Sequence, residues 1–204
     1  MNQYAVPLLF LFATSIAAAG EYNPVLSIGD EAPAWKDLPE IDGKKHSLAG
    51  LKDHDAVVVV FTCNSCPYSV DYEDRVIALT KSLTDRNVAL IAINVNKVPE
   101  DSFQAMKERA VAKGFSFPYL YDDTQQIARD YGATYTPEFF VLDGDRKIAY
   151  MGALDDSPDA SKVQKRHVAN AVTAVLSREA PKVTETIAIG CRIRLERQRR
   201  RRKQ

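Results

Sequence analysis

From Ala56 to Phe61 the chain is apolar without interruption, and Asp55 and Thr62 flank the run. A continuous, mostly β-branched segment of this kind predicts a parallel strand buried on both faces, and therefore the centre of a sheet. Beyond it the apolar residues Val70, Ile77, Leu79 and Leu83 recur among charges as far as Arg86. This spacing predicts a helix whose early turns carry Asp71, Glu73 and Asp74, where negative charge suits the helix dipole. Val88 to Val95 reads as a second buried strand, and Asp101 to Lys113 as a second helix capped by Asp101 or Ser102. Phe115 to Tyr121 reads as a short strand or extended segment, and Thr124 to Tyr131 as a helix stopped by Gly132. A strand then runs from Thr136-Pro137 to Leu142, Asp143-Gly144-Asp145-Arg146 turns it, and Lys147 to Met151 returns. Ser161 to Ser177 carries Val163, Val168, Ala171, Val172, Val175 and Leu176 at helical spacing. Upstream, the Pro and Gly punctuation of Ile28 to Pro33 and of Leu38 to Lys44 predicts a small hairpin. The expected order is one parallel crossover, a helix, an antiparallel hairpin and a last helix.

Composition adds a size and a class. A chain of 204 residues with 46% hydrophobic content is sized for one soluble α/β domain. Its net charge of zero hides an asymmetry: eight of the 27 Lys and Arg residues follow Cys191, with Glu196 the only acid there. The body is therefore acidic, which argues against nucleic acid as a partner. The opening Met1 to Gly20 is largely apolar and ends in Ala17-Ala18-Ala19, which predicts a signal peptide over 1–19 and an exported, periplasmic or equivalent, protein.

The chemistry centres on Cys63-Asn64-Ser65-Cys66-Pro67, which follows the buried strand and opens the helix. Unsatisfied N–H groups at a helix start stabilise a thiolate. The thiolate is the attacking species in disulfide exchange, and a second thiol can resolve the mixed disulfide. Cys63 is the expected nucleophile and Cys66 the resolving thiol. Other uses of two cysteines at this spacing fare unequally. Haem attachment needs a His where Pro67 stands. Structural zinc wants two further ligands, and His46, His54 and His167 are scattered. A copper module using both sulfurs and a distant His stays open, as does a noncatalytic partner-binding domain.

These residues resemble the thioredoxin superfamily, and more closely its bacterial redoxin-domain, AhpC/TSA-like members. The resemblance is carried by Phe61-Thr62-Cys63-Asn64-Ser65-Cys66-Pro67, Thr136-Pro137 and Ile28 to Pro33, and covers roughly Ser27 to Ser177. It implies a thioredoxin-like three-layer α/β fold, a mixed central sheet flanked by helices, with an N-terminal β-hairpin extension. The domain is expected over 25–178, followed by an extension over 179–204 with a basic tail. The likeness implies a thiol–disulfide oxidoreductase that acts on protein thiols or disulfides, and a cis bond before Pro137. It also implies a substrate groove shaped by Thr136 and Pro137, the Thr136 backbone being free to pair with an extended substrate.

There are departures from the family pattern. Thioredoxin carries a Trp before the first Cys and a buried Asp six positions before it, whereas Thr62 and Val57 stand here. Glu138 is a candidate substitute as proton acceptor, with a solvent-facing carboxylate the plainer expectation. The peroxiredoxin branch supplies the rival activity, a thiol peroxidase. Its usual Pro and Thr or Ser, seven and three residues before the peroxidatic Cys, are replaced by Ala56 and Val60. Cys191 is a candidate accessory thiol that could accept the disulfide or pair with another chain, or simply a terminal-strand Cys. No phosphate-binding glycine loop is present, so no nucleotide cofactor is implied, and the expected cofactors are none. An exported dithiol protein must exchange electrons with a membrane redox partner. The basic tail is a candidate for weak contact with an anionic membrane surface.

Overall fold

The computed structural model describes residues 20–197. The expected signal peptide and the Arg-rich end of the tail lie outside the described residues. No helix among the described residues is long and apolar enough to cross a membrane.

Five strands make the central sheet. In chain order they are β3 (Ala56–Phe61), β4 (Val88–Asn94), β5 (Tyr119–Tyr121), β7 (Glu138–Leu142) and β8 (Ile148–Gly152), and in space β5-β4-β3-β7-β8. The apolar run of β3 is central, as its composition predicts. Its pairing with β4 is parallel, Ala56 opposite Val88 through Phe61 opposite Ile93. Its pairing with β7 is antiparallel, Val57 opposite Leu142 through Phe61 opposite Glu138. The short hairpin of β1 (Leu38–Pro39) and β2 (Lys45–His46) sits upstream.

Both faces of the sheet are covered, which explains the absence of a polar position in β3. Val58 and Val60 face α1 (Pro67–Leu83), α2 (Phe103–Lys113) and α4 (His167–Leu176) through Tyr72, Val76, Met106, Val168 and Val172. Val57, Val59 and Phe61 face Trp35 and the short α3 (Gln126–Asp130) with the adjoining Tyr131. There Phe61, Tyr131 and Phe140 meet edge to face, with ring centroids 5.1–5.7 Å apart. Each buried Val or Phe of this strand contributes about 1.5–3 kcal/mol from burial alone.

Four expectations need correction. Tyr119–Tyr121 pairs parallel with β4, so there are two parallel neighbours in succession rather than one crossover. Of the stretch expected as a short strand or extended segment only Tyr119–Tyr121 is strand, and Phe115 and Phe117 before it stack on each other at 4.7 Å. The last helix starts at His167 instead of Ser161, because the Asp156 carboxylate takes the Gln164 and Lys165 N–H groups and holds that stretch open. The strand expected from Thr136 breaks at Pro137, which has no N–H to donate. Tyr135–Thr136 forms β6, which leaves the main sheet and pairs with β9 (Cys191–Arg192).

The C-terminal extension is packed along the domain. Met151 exchanges backbone hydrogen bonds with Thr184 and Thr186, so the chain beyond α4 lies against the outer edge of β8. Farther on, Ile193 N–H donates to the Thr134 carbonyl and the Ile193 side chain is buried.

Candidate functional site

The end of β3, the start of α1 and the turn between β6 and β7 converge on two sulfurs. Cys66 is the N-cap of α1 in extended conformation, and Pro67 occupies the first helical position, where its missing N–H is no loss. Cys63 is 3% and Cys66 2% exposed. The Cys66 thiol reaches the Thr136 carbonyl at 2.9 Å. The Cys63 sulfur lies 3.4 Å from the Thr136 hydroxyl and 3.7 Å from that of Ser65. The Thr136–Pro137 peptide is cis. Thr136 thus touches both sulfurs, one through its hydroxyl and one through its carbonyl.

The pair titrates as a unit, its protons leaving in two steps that belong to both residues. With the shared proton on Cys63, that thiol donates to Cys66, and the Ser69 and Cys191 N–H groups add to the pull that lowers Cys66 below an ordinary thiol. Retaining that proton beside Cys66, together with burial, raises Cys63, while the Thr136 and Ser65 hydroxyls act the other way. With the proton on Cys66 instead, the Thr136 carbonyl accepts it. The physical result is one proton lost easily and one held tightly.

The dipeptide between the sulfurs is clamped by a carboxylate that sequence reasoning treats only as a helix cap. Asp101 is fully buried. Its carboxylate accepts from Asn64 N–H at 2.7 Å, Ser65 N–H at 2.8 Å, the Ser65 hydroxyl at 2.6 Å and the Asn96 amide at 3.1 Å. Asn64 is held further by the Glu100 carbonyl and the Tyr119 hydroxyl. The cap of α2 is Ser102, whose hydroxyl accepts from Ala105 N–H. The signal for Asp101 was the polar set Asn94, Asn96 and Asp101 at the carboxyl end of a buried strand, where ligands and active sites of α/β sheets gather.

Glu138 is buried rather than facing solvent. One of its oxygens accepts from Thr134 and Tyr135 N–H at 2.8 and 2.9 Å, so it braces the turn that presents Thr136. Burial raises its carboxyl to about 7. It sits on β7 opposite Phe61 and makes no hydrogen bond to either sulfur. A different carboxylate, Glu73, lines a cavity of about 20 Å³ together with Cys63, Ser69 and Tyr72. That space suits a single water. Arg109 binds Glu73 through two nitrogens at 2.7 and 2.8 Å.

Cys191 stands directly opposite Thr136 in the β6–β9 pair and is partly exposed. The backbone of Thr136, expected to be free for substrate, is therefore taken by the chain's own C-terminal segment. His46 is paired with Glu40 and His167 stacks on Tyr150. No group of three or more His, Cys, Asp or Glu side chains among the described residues is placed to hold a metal ion.

The AhpC/TSA family model matches residues 28–151, which span the hairpin, the Cys63–Cys66 segment and the strands through β8. Among solved structures, an uncharacterized conserved protein from Geobacillus kaustophilus is 33% identical with a TM-score of 0.81, over 87% of this chain and 96% of that one. A hypothetical protein from Sinorhizobium meliloti 1021 is 32% identical with a TM-score of 0.79, over 85% and 97%. A thiol:disulfide interchange protein of the thioredoxin family from Chlorobium tepidum TLS is 19% identical with a TM-score of 0.58, over 74% and 99%, a likeness of fold. No curated protein matches. By sequence and by architecture, the chain belongs to the AhpC/TSA family of thioredoxin-fold redoxins.

Proposed function

We propose that this redoxin is a thiol–disulfide oxidoreductase whose Cys63 and Cys66 form and break one disulfide in exchange with protein thiols or disulfides. The observation that carries the reading is the placement of two buried sulfurs at the start of a helix, both against Thr136, Cys66 at its carbonyl and Cys63 at its hydroxyl. The helix-start N–H expected to favour a Cys63 thiolate falls on Cys66, where Ser69 and Cys191 N–H groups act. The Thr136 and Ser65 hydroxyls stand beside Cys63 to stabilise its thiolate when the disulfide opens at that sulfur. Asp101 and Glu138 keep the two loops in register around them. The apolar opening segment supports an exported compartment, and with it a membrane redox partner for the pair.

The decisive measurement is equilibration of the full chain with glutathione buffers of known potential. A reversible two-electron couple at Cys63–Cys66, lost in Cys63→Ser and Cys66→Ser, is expected. The absence of such a couple sinks the proposal. The family match favours one second reading, a thiol peroxidase. Val60 opposes it, since it fills the core where that chemistry wants a hydroxyl. Turnover of hydrogen peroxide at a rate far above that of a free thiol would favour the peroxidase.

A further inference from the structure

The proposed pair has a problem of access, because both cysteines are almost wholly buried: Cys63 and Cys66 are 3% and 2% exposed. The C-terminal strand lies on the Cys66 side of the pair. Cys191 pairs with Thr136, whose carbonyl accepts from Cys66, so Cys191 and Cys66 approach the same peptide group. The Cys191 thiol and N–H are both among the groups acting on the Cys66 sulfur, and the interaction is mutual. Of the three cysteines, Cys191 alone is partly open to solvent.

The arrangement is built with tight tolerance. A Cβ on Gly190 would lie 2.2 Å from the Thr136 oxygen, 2.6 Å from its carbonyl carbon and 3.0 Å from the Pro137 nitrogen. Only glycine lets the segment lie flat on the Thr136–Pro137 peptide. Past Cys191 the segment is held by the Asn96 oxygen on Arg194 N–H and by Gln125, which bonds both the Arg194 carbonyl and the Glu196 N–H. A loose tail would make none of these contacts.

We propose that Cys191 is a third redox thiol, which takes the disulfide from the buried pair and presents it at the surface. The step rests on the reading of Cys63 and Cys66 as an exchanging pair. The Cys191 thiolate attacks the Cys66 sulfur; the Cys66–Cys191 bond forms as the Cys63–Cys66 bond breaks. Cys63 leaves as a thiolate beside the Ser65 and Thr136 hydroxyls and takes up the proton that Cys191 gave. The exchange is an isomerisation and consumes no electrons. A partner thiol can then attack Cys191, with Cys66 as the leaving sulfur.

The test uses the full chain in glutathione buffers over a range of potentials, quenched with acid and mapped by non-reducing peptide mass spectrometry. Wild type is expected to show a Cys66–Cys191 peptide alongside Cys63–Cys66, in a ratio independent of buffer potential and protein concentration. Monomeric Cys63→Ser is expected to close Cys66–Cys191, and Cys191→Ser to lose that peptide while keeping Cys63–Cys66. Cys63–Cys66 with no Cys66–Cys191 counterpart, or Cys191 found only in inter-chain or glutathione disulfides, overturns the relay and leaves the oxidoreductase reading standing. The absence of any intramolecular disulfide overturns both.

Discussion

Two buried carboxylates show how single residues hold the site in shape. The Asp101 carboxylate accepts four hydrogen bonds, three of them from the dipeptide between the cysteines. Asp101→Asn replaces an anion that only accepts with an amide that must also donate, so at least one donor there loses its partner. A loss of about 1–3 kcal/mol in urea unfolding is expected. The negative charge of Asp101 also opposes ionisation of Cys63, so the pH profile of thiol alkylation should move down in the variant. An unmoved profile would mean that Asp101 acts through shape alone. Glu138 makes a pH prediction of definite sign. Burial raises its carboxyl from 4.5 to about 7, so the fold favours the protonated form. Its favourable contribution is complete below pH 4.5 and is lost as pH rises through about 7. Both N–H contacts fall on one oxygen, which the amide oxygen introduced by Glu138→Gln can reproduce. Relative to that variant, wild type should lose about 3 kcal/mol between pH 4.5 and pH above 7. Parallel stability curves for the two proteins would refute this. In the sequence, Glu138 reads as solvent-facing because its burial depends on β6 turning away, which no local pattern encodes.

At the scale of elements, legibility follows how far each signal reaches. The apolar run of β3 announces its own central place, and α1 follows from local spacing, Pro67 and the cysteine cap. The hairpin of β7 and β8 is legible because Asp143-Gly144 is a short-range turn. The pairing of β6 with β9 is not legible, because it joins positions more than fifty residues apart through only two residues each. The one cue is Gly190 beside Cys191, and its meaning appears only when the Thr136–Pro137 peptide is found against it. Gly190→Ala should therefore act on this element alone. Backbone stands where the new methyl would go, so the strand must lift, with an overpacking penalty of about 1–3 kcal/mol. Faster alkylation of Cys66 and faster amide exchange at Ile193, with the exchange of β3 and β4 unchanged, are expected. Slower exchange or unchanged Cys66 labelling would show that the strand accommodates the methyl in place.

For the molecule as a whole, the question is whether the C-terminal strand opens without the core. The core is apolar on both faces of the sheet, with Val57, Val58, Val59 and Phe61 of β3 fully enclosed. The segment from Gly190 to Glu196 is held differently, by backbone pairing, polar contacts to Asn96, Gln125 and Lys97, and a single buried apolar side chain, Ile193. Segments with few buried apolar contacts occupy the low end of the range of local stabilities. Denaturant sensitivity scales with the surface uncovered, so a local opening carries a smaller slope than global unfolding. Alkylation of Cys66 at low urea should therefore rise with a slope well below the global value, while amide exchange in β3 keeps the global slope. The Cys63 sulfur, enclosed also by α1 and the Asp101 clamp, should become reactive after Cys66. If Cys66 instead becomes reactive only with the global slope, the strand and the core are one cooperative unit. Exchange with a protein partner would then have to proceed through Cys191 with the strand in place, and the buried pair would be served only by the internal isomerisation.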